Sequence, residues 1–236
     1  MKSRATPQRP AARRVPSRQR ARSRGRATRE KVLEVAIDLF ASRGFDGVSV
    51  RDIAARTGAT LPAIYYHFGD KRSLYLEACL SLFAAWGRRR EHVFAQGGPP
   101  EQRLFDYLLS VMGSLTSDRR FSGLMQREIL ERDIQGIRRL TDAIFRRHFI
   151  EVSKLCREVG CNGDSKLAAH TVYALLFGLA QLQPIGRELG TIREIDASEA
   201  QIRHVLGVVL PGGNWSKIGK HRNSTGSRAR PGRQMA

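Results

Sequence analysis

Ser49 to Lys71 reads SVRDIAARTGATLPAIYYHFGDK, and the fold turns on how this stretch is read. Ser49-Val-Arg-Asp52 has the form of a capping box, in which the Ser hydroxyl accepts from the amide three residues on and the Asp carboxylate reaches back. Ile53 and Ala54 give the following helix a buried face, and Gly58 ends it. Thr60 then caps a second helix, which tolerates Pro62 because first-turn amides have no acceptor inside the helix. That helix runs to about Phe68, and Asp70 caps the next one. Short capped helices joined by a glycine turn are the pattern of a helix-turn-helix.

Upstream, Val32, Leu33, Ala36, Ile37 and Phe40 recur at helical spacing, opposite Arg29, Glu30, Glu34 and Asp38, which predicts a first helix ending at Arg43-Gly44-Phe45. Downstream, a helix from Lys71 to about Phe94 spans about 36 Å at the usual rise per residue. Gly97-Gly98-Pro99-Pro100 breaks it. Further helices are expected at Glu101–Thr116, Arg120–Glu131, Ile137–Val159, Ser165–Leu189 and Glu199–Leu210, and no segment reads convincingly as a strand. The expectation is an all-α chain of about nine helices: a three-helix, homeodomain-like unit followed by a larger helical domain. Val172–Leu182 is apolar nearly all round yet too short to span a bilayer, so protein must cover it on every side. Ala174 and Gly178, one turn apart, would let another helix approach closely, or the segment is the central helix of one chain's core.

The formal charge of +19 is concentrated at the ends. Residues 1–27 carry ten Lys and Arg and no acid, residues 212–236 carry six and no acid, and the body between them is left with about +3. Both ends lack large apolar side chains, a composition that cannot repay the entropy of ordering, and are read as disordered basic tails. The division expected is therefore a basic arm at 1–27, a DNA-binding-type helix-turn-helix at 28–75, a helical domain at 76–211 and a basic tail at 212–236. The arm either follows phosphates or enters the minor groove, or is a solvated tail. Cys79, Cys156 and Cys161 have no metal-ligand spacing and an odd count, which points to a reducing compartment; Cys156 and Cys161 are a redox pair or, more simply, separate thiols. With neither a signal-peptide core nor a membrane-length apolar run, a cytoplasmic protein is expected.

In a helix-turn-helix the second helix enters the major groove N-terminus first. Ile64 and Phe68 should face inward with Ile53, Phe40 and Leu74, leaving Leu61, Ala63, Tyr65, Tyr66 and His67 to include the outward side chains. Tyr hydroxyls and a His N–H donate to phosphate oxygens, Leu61 and Tyr65 suit thymine methyls, Lys71 adds charge at a helix N-terminus, and Arg51 reaches a base edge or a phosphate. The plainer alternative makes Tyr65, Tyr66 and His67 core and rim residues of a three-helix bundle. No acid, Cys or second His stands near His67 in sequence to make it a metal ligand or a catalytic base.

Residues 28–75, TREKVLEVAIDLFASRGFDGVSVRDIAARTGATLPAIYYHFGDKRSL and the residue after it, resemble the DNA-binding domain of the TetR family of transcriptional regulators. The resemblance rests on the first-helix core ending in Arg43-Gly44-Phe45, on Ser49-Val-Arg-Asp-Ile-Ala54, and on Ala63-Ile-Tyr-Tyr-His-Phe68 followed by Lys71. It implies DNA contacts by Arg51, Thr60, Pro62, Ala63, Tyr65, Tyr66, His67 and Lys71; Leu61 departs from the polar residue many members carry. It further implies a homodimer made by the last two long helices, a small-molecule effector in the C-terminal domain, and release of a near-palindromic operator. Dimer contacts are expected at Ala174, Gly178, Val205 and Val209. Phe83, Trp86, Phe105, Met112, Leu124, Met125, Phe145, Tyr173 and Phe177 are the candidate lining for an apolar or amphipathic effector, although any helical core uses such residues. Neither a nucleophile–base constellation, a phosphate loop nor metal spacing argues for an enzyme, and no cofactor is expected. A helical enzyme and a helix-turn-helix used only for protein contacts are the alternatives.

Overall fold

The computed structural model describes residues 18–131, 134–190 and 197–218. Its helices are α1 (Arg18–Arg43), α2 (Val50–Thr57), α3 (Leu61–Phe68), α4 (Lys71–Ala95), α5 (Pro100–Ser117), α6 (Arg119–Glu131), α7 (Ile134–Leu140), α8 (Arg146–Glu158), α9 (Ser165–Glu188) and α10 (Ala197–Val209). A π-helical turn, Thr141–Phe145, joins α7 to α8, so the two form one continuous rod, and a 3-10 turn at Trp215–Lys217 follows α10. No strand occurs among the described residues.

The local signals near the N-terminus act as read. Ser49 Oγ accepts from the Asp52 amide at 3.1 Å while the Ser49 amide donates to Asp52 Oδ2 at 2.9 Å, closing the capping box of α2. These hydrogen bonds hold the Asp52 carboxylate below its ordinary range. Gly58 takes φ 71° and ends α2, Thr60 Oγ1 accepts from the Ala63 amide, and Asp70 Oδ1 accepts from the Ser73 amide at 2.7 Å to start α4. Val32, Ala36, Ile37 and Phe40 of α1 close with Ile53, Ile64, Phe68 and Leu74 over one core. Phe40 meets Tyr75 edge-on at 5.0 Å, and Lys31 Nζ donates to the Thr57 carbonyl at 2.8 Å, fastening α2 to α1.

α4 belongs to both halves. Its Leu74, Tyr75 and Ala78 are buried in the N-terminal core and its Phe83, Trp86 and Val93 in the C-terminal one, so the helix crosses the expected boundary at 75/76 without a break. α6 makes a second connection. Gly123 sits against the Ala41 carbonyl of α1, where a Cβ would lie 2.7 Å from the oxygen, and Arg120 pairs with Glu34 at 2.8 Å and Asp38 at 3.0 Å.

Both expected tails are shorter than composition implied. α1 is described from Arg18, ten residues before Thr28, where the Arg-, Ala- and Gln-rich stretch only has to extend an already nucleated helix. Thr28 Oγ1 bonds the Arg24 carbonyl and Arg26 pairs with Glu30 along this extension. Residues 1–17 and 219–236 of the expected tails lie outside the described residues. At the C-terminus, Pro211-Gly-Gly turns the chain back: Trp215 and Ile218 are buried, with Trp215 Nε1 donating to the Leu210 carbonyl at 2.8 Å. Apolar burial outweighs the basic composition there.

Candidate nucleic-acid interface and internal cavity

α3 is divided by face. Ile64 and Phe68, one turn apart, are buried in the three-helix core, while Tyr66 is 86% and Tyr65 47% exposed. Leaving two Tyr rings in water on one short helix is unfavourable for an isolated fold, and the bundle gains nothing from them. Thr60, Pro62 and Arg51 are exposed beside them, and Leu61, Ala63 and His67 are half-buried. Of the alternative that made Tyr65, Tyr66 and His67 core and rim residues, this burial excludes a core position for Tyr65 and Tyr66. His67 packs edge-on to Tyr66 at 5.4 Å and lies beside Gly25 of α1, where a Cβ would make ordinary contact with the ring at 3.8 Å. Lys71 is half-buried with Nζ 4.3 Å over the Phe45 ring, a cation–π contact that fixes its stem at the start of α4. The contact of Gly25 with His67 brings the α1 extension, on which Arg24 and Arg26 are exposed, beside α3. Among the described residues no cluster of His, Cys, Asp and Glu could hold a metal ion.

A second feature lies inside the C-terminal half, where α4, α5, α6, the α7–α8 rod and α9 enclose a cavity of about 630 Å³. Of the nine side chains expected to line it, Trp86, Met125, Phe145, Tyr173 and Phe177 do. Phe83, Phe105, Met112 and Leu124 do not: all are essentially fully buried and fill the core around the cavity instead. Sequence reasoning missed Tyr107 and Val111 on α5, Phe121 and Glu128 on α6, and Ile137, Thr141 and Phe149 on the α7–α8 rod. Ile137, Thr141, Phe145 and Phe149 are spaced four apart, a spacing that drifts about 40° per step around a regular α-helix. The wider π turn at Thr141–Phe145 takes up that drift and keeps all four on the cavity side.

The lining is aromatic with a few polar groups. Trp86 stacks on Phe121 at 5.0 Å and tilts against Phe145, and its buried Nε1 has no acceptor among the described residues. The Tyr107 and Tyr173 hydroxyls bond each other at 2.8 Å, and burial pushes both phenols above their ordinary range. Glu128 is 7% exposed, and its Oε1 receives the Cys79 thiol at 3.8 Å. Four of the lining residues are exposed: Ile129 on α6, Ile137 on α7, and His170 and Ala174 on α9. Behind Trp86, Arg90 lies 4.4 Å over the ring, donating to the Trp86 and Ser110 carbonyls and to Ser114 Oγ, and desolvation lowers its guanidinium to about 10.

The faces expected to bind a second copy are partly reassigned. Val205 is 3% exposed and buried within its own chain, and Val209 is half-buried against the same core, because α10 turns that side toward α5 and α9. The outward side of α10 is Ala200, His204, Gly207 and Val208. Ala174 and Gly178 of α9 remain accessible, and Leu175, Leu182, Ile185 and Leu189 continue the Gly178 line as an exposed apolar stripe with alternating spacings of three and four. The expectation that protein covers Val172–Leu182 on every side is thus not met within one chain. Cys156 is buried, its thiol pushed up to about 12 by desolvation, and Cys161 is half-buried; the two are not joined by a disulfide.

Residues 32–78 match the family described as bacterial regulatory proteins, tetR family. The chain is 30% identical over 125 residues to the HTH-type transcriptional repressor AcnR of Corynebacterium glutamicum, covering 52% of this chain and 57% of that protein. It is 34% identical over 100 residues to the HTH-type transcriptional regulator AcrR of Shigella flexneri, covering 42% of this chain and 46% of AcrR. The chain thus spans about half the length of the curated relatives it matches. Among solved structures it is similar to the transcriptional regulator FadR from Bacillus subtilis in complex with stearoyl-CoA, with TM-score 0.64, 14% identity, and coverage of 78% of this chain and 98% of that one. It is equally similar in fold to a Saccharomonospora viridis protein described as a transcriptional regulator, in complex with choline, with TM-score 0.64, 21% identity, and coverage of 78% and 96%.

Proposed function

From a helix-turn-helix of the TetR family at residues 32–78, we propose that this protein is a sequence-specific DNA-binding transcriptional regulator, a repressor released from a near-palindromic operator by a small molecule. The observation that carries the reading is the division of α3: Ile64 and Phe68 seat the helix on its core, and Tyr65 and Tyr66 stand exposed on the far side. In this reading α3 enters the major groove. Tyr65 and Leu61 meet base edges, Thr60, Tyr66, His67 and Lys71 meet phosphates, Pro62 and Ala63 let the backbone approach, and Arg51 reaches the groove from α2. Arg24 and Arg26 on the α1 extension, with the arginines before them, add phosphate contacts that raise affinity without choosing sequence.

The protein works in the cytoplasm as a homodimer in this reading, with the exposed α9 stripe and the Ala200, His204, Gly207 and Val208 side of α10 meeting their two-fold copies. The cavity takes the effector. Its walls reach the reading head by two routes, along α4 and through the contact of α6 with α1, so a ligand that prefers one arrangement of these helices shifts DNA affinity by that preference. DNA flanking the protein's own gene is the first target to offer in a gel shift. A discrete, competitor-resistant complex that footprints as paired half-sites is expected; migration no different from random-sequence DNA of equal length would reject the reading.

A further inference from the structure

Glu128 is the one carboxylate among the cavity-lining residues, and it sits on the wall with Trp86, Phe121, Phe145 and Phe177 around the same space. At 7% exposure it has given up nearly all of its water, and among the described residues no cation pairs with it; the weak Cys79 thiol contact repays little of that cost. A negative charge facing an aromatic-walled space is complementary to a cation with an apolar body, because ring faces and carboxylate attract the same positive centre. Arg90, the cation already stacked on Trp86, is held by backbone carbonyls and Ser114 and is not a lining residue, so it leaves that role to a ligand.

Resting on the effector reading above, we propose that the cavity binds a lipophilic organic cation, an ammonium or similar centre carried on an aryl or alkyl body, with Glu128 as its counter-ion. The volume of about 630 Å³ suits a body of drug-like size.

The test is isothermal titration calorimetry of the full chain with three probes of matched length: phenylbutyl-trimethylammonium, phenylhexanol and phenylhexanoate. The ammonium should bind at least about tenfold more tightly than the alcohol, with the carboxylate weakest, and Glu128→Gln should lose that preference while still binding the alcohol. Equal affinity for ammonium and alcohol, a preference for the carboxylate, or no binding of any probe overturns the proposal, and these wild-type comparisons stand even if the variant fails to fold. A gel shift on the same preparation separates the readings: intact operator binding without ammonium binding removes the counter-ion assignment alone, whereas loss of operator binding removes the regulator reading itself.

Discussion

Gly123 of α6 meets the Ala41 carbonyl of α1 so closely that a Cβ on the glycine would lie 2.7 Å from the oxygen. The helix whose Phe121, Met125 and Glu128 line the cavity therefore touches, at backbone level, the helix on which α2 and α3 pack. The neighbour is backbone and cannot step aside. Gly123→Ala should force α6 away from α1, lower the melting temperature by an amount corresponding to about 1–3 kcal/mol, and shift the effector concentration needed to release DNA. Thermal melts and release curves for the two proteins check this, and an unchanged release midpoint would leave α4 as the sole route.

The apolar stripe on α9 predicts a difference between two kinds of substitution. Leu182→Glu and Ile185→Glu, at positions 56% exposed, should leave the chain folded and shift sedimentation from dimer to monomer. Val205→Glu, at a position 3% exposed, should instead unfold it by burying an unpaired charge. Analytical ultracentrifugation beside circular dichroism distinguishes the outcomes.

His148 gives the fold a pH dependence of known sign. It is buried among Trp86, Phe94 and Tyr107, with Nε2 close to Gly87, and desolvation lowers its pKa from 6.5, opposed by Glu91 and reinforced by Arg147 and Arg90. The folded state thus binds the proton less readily than the unfolded one. Stability is full above pH 6.5 and declines as the pH falls from there toward the lowered folded value. Melting temperatures measured through that window should fall for the wild type and fall less for His148→Leu.

The capping box of α2 should contribute independently of DNA. Ser49→Ala removes the acceptor for the Asp52 amide and the hydroxyl donor to Asp52 Oδ2, leaving that oxygen only the backbone amide of residue 49, and should cost about 1 kcal/mol in urea titrations. Ser49→Asn, another competent cap, should restore most of it.

The N-terminal unit was legible because its signals are local: Ser49, Gly58, Thr60 and Asp70 cap or end helices through neighbours three or four residues away. The cavity was half legible for the opposite reason. Phe83 and Phe145 are equally aromatic and nearly touch, at 5.7 Å between ring centroids, yet the second lines the cavity and the first fills the core, a distinction set by how the helices diverge. The π turn at Thr141–Phe145 has no signature in the residues it contains. In the sequence Glu128 stands in a charged stretch with Arg127 and Glu131, which does not mark it as interior; only the seating of α6 turns it to the cavity. Val205 and Val208 could not be told apart by composition, since α10 is apolar on more than one side.

The central claim is that the exposed rings of α3 lodge against a duplex. It is tested by fluorescence anisotropy with labelled DNA from the region flanking the gene, comparing the wild type with a Tyr65→Ala, Tyr66→Ala variant. These rings support no core, so the variant should melt as the wild type does while its affinity for that DNA falls at least about tenfold toward its affinity for random sequence. Undiminished affinity in a folded variant would contradict the claim.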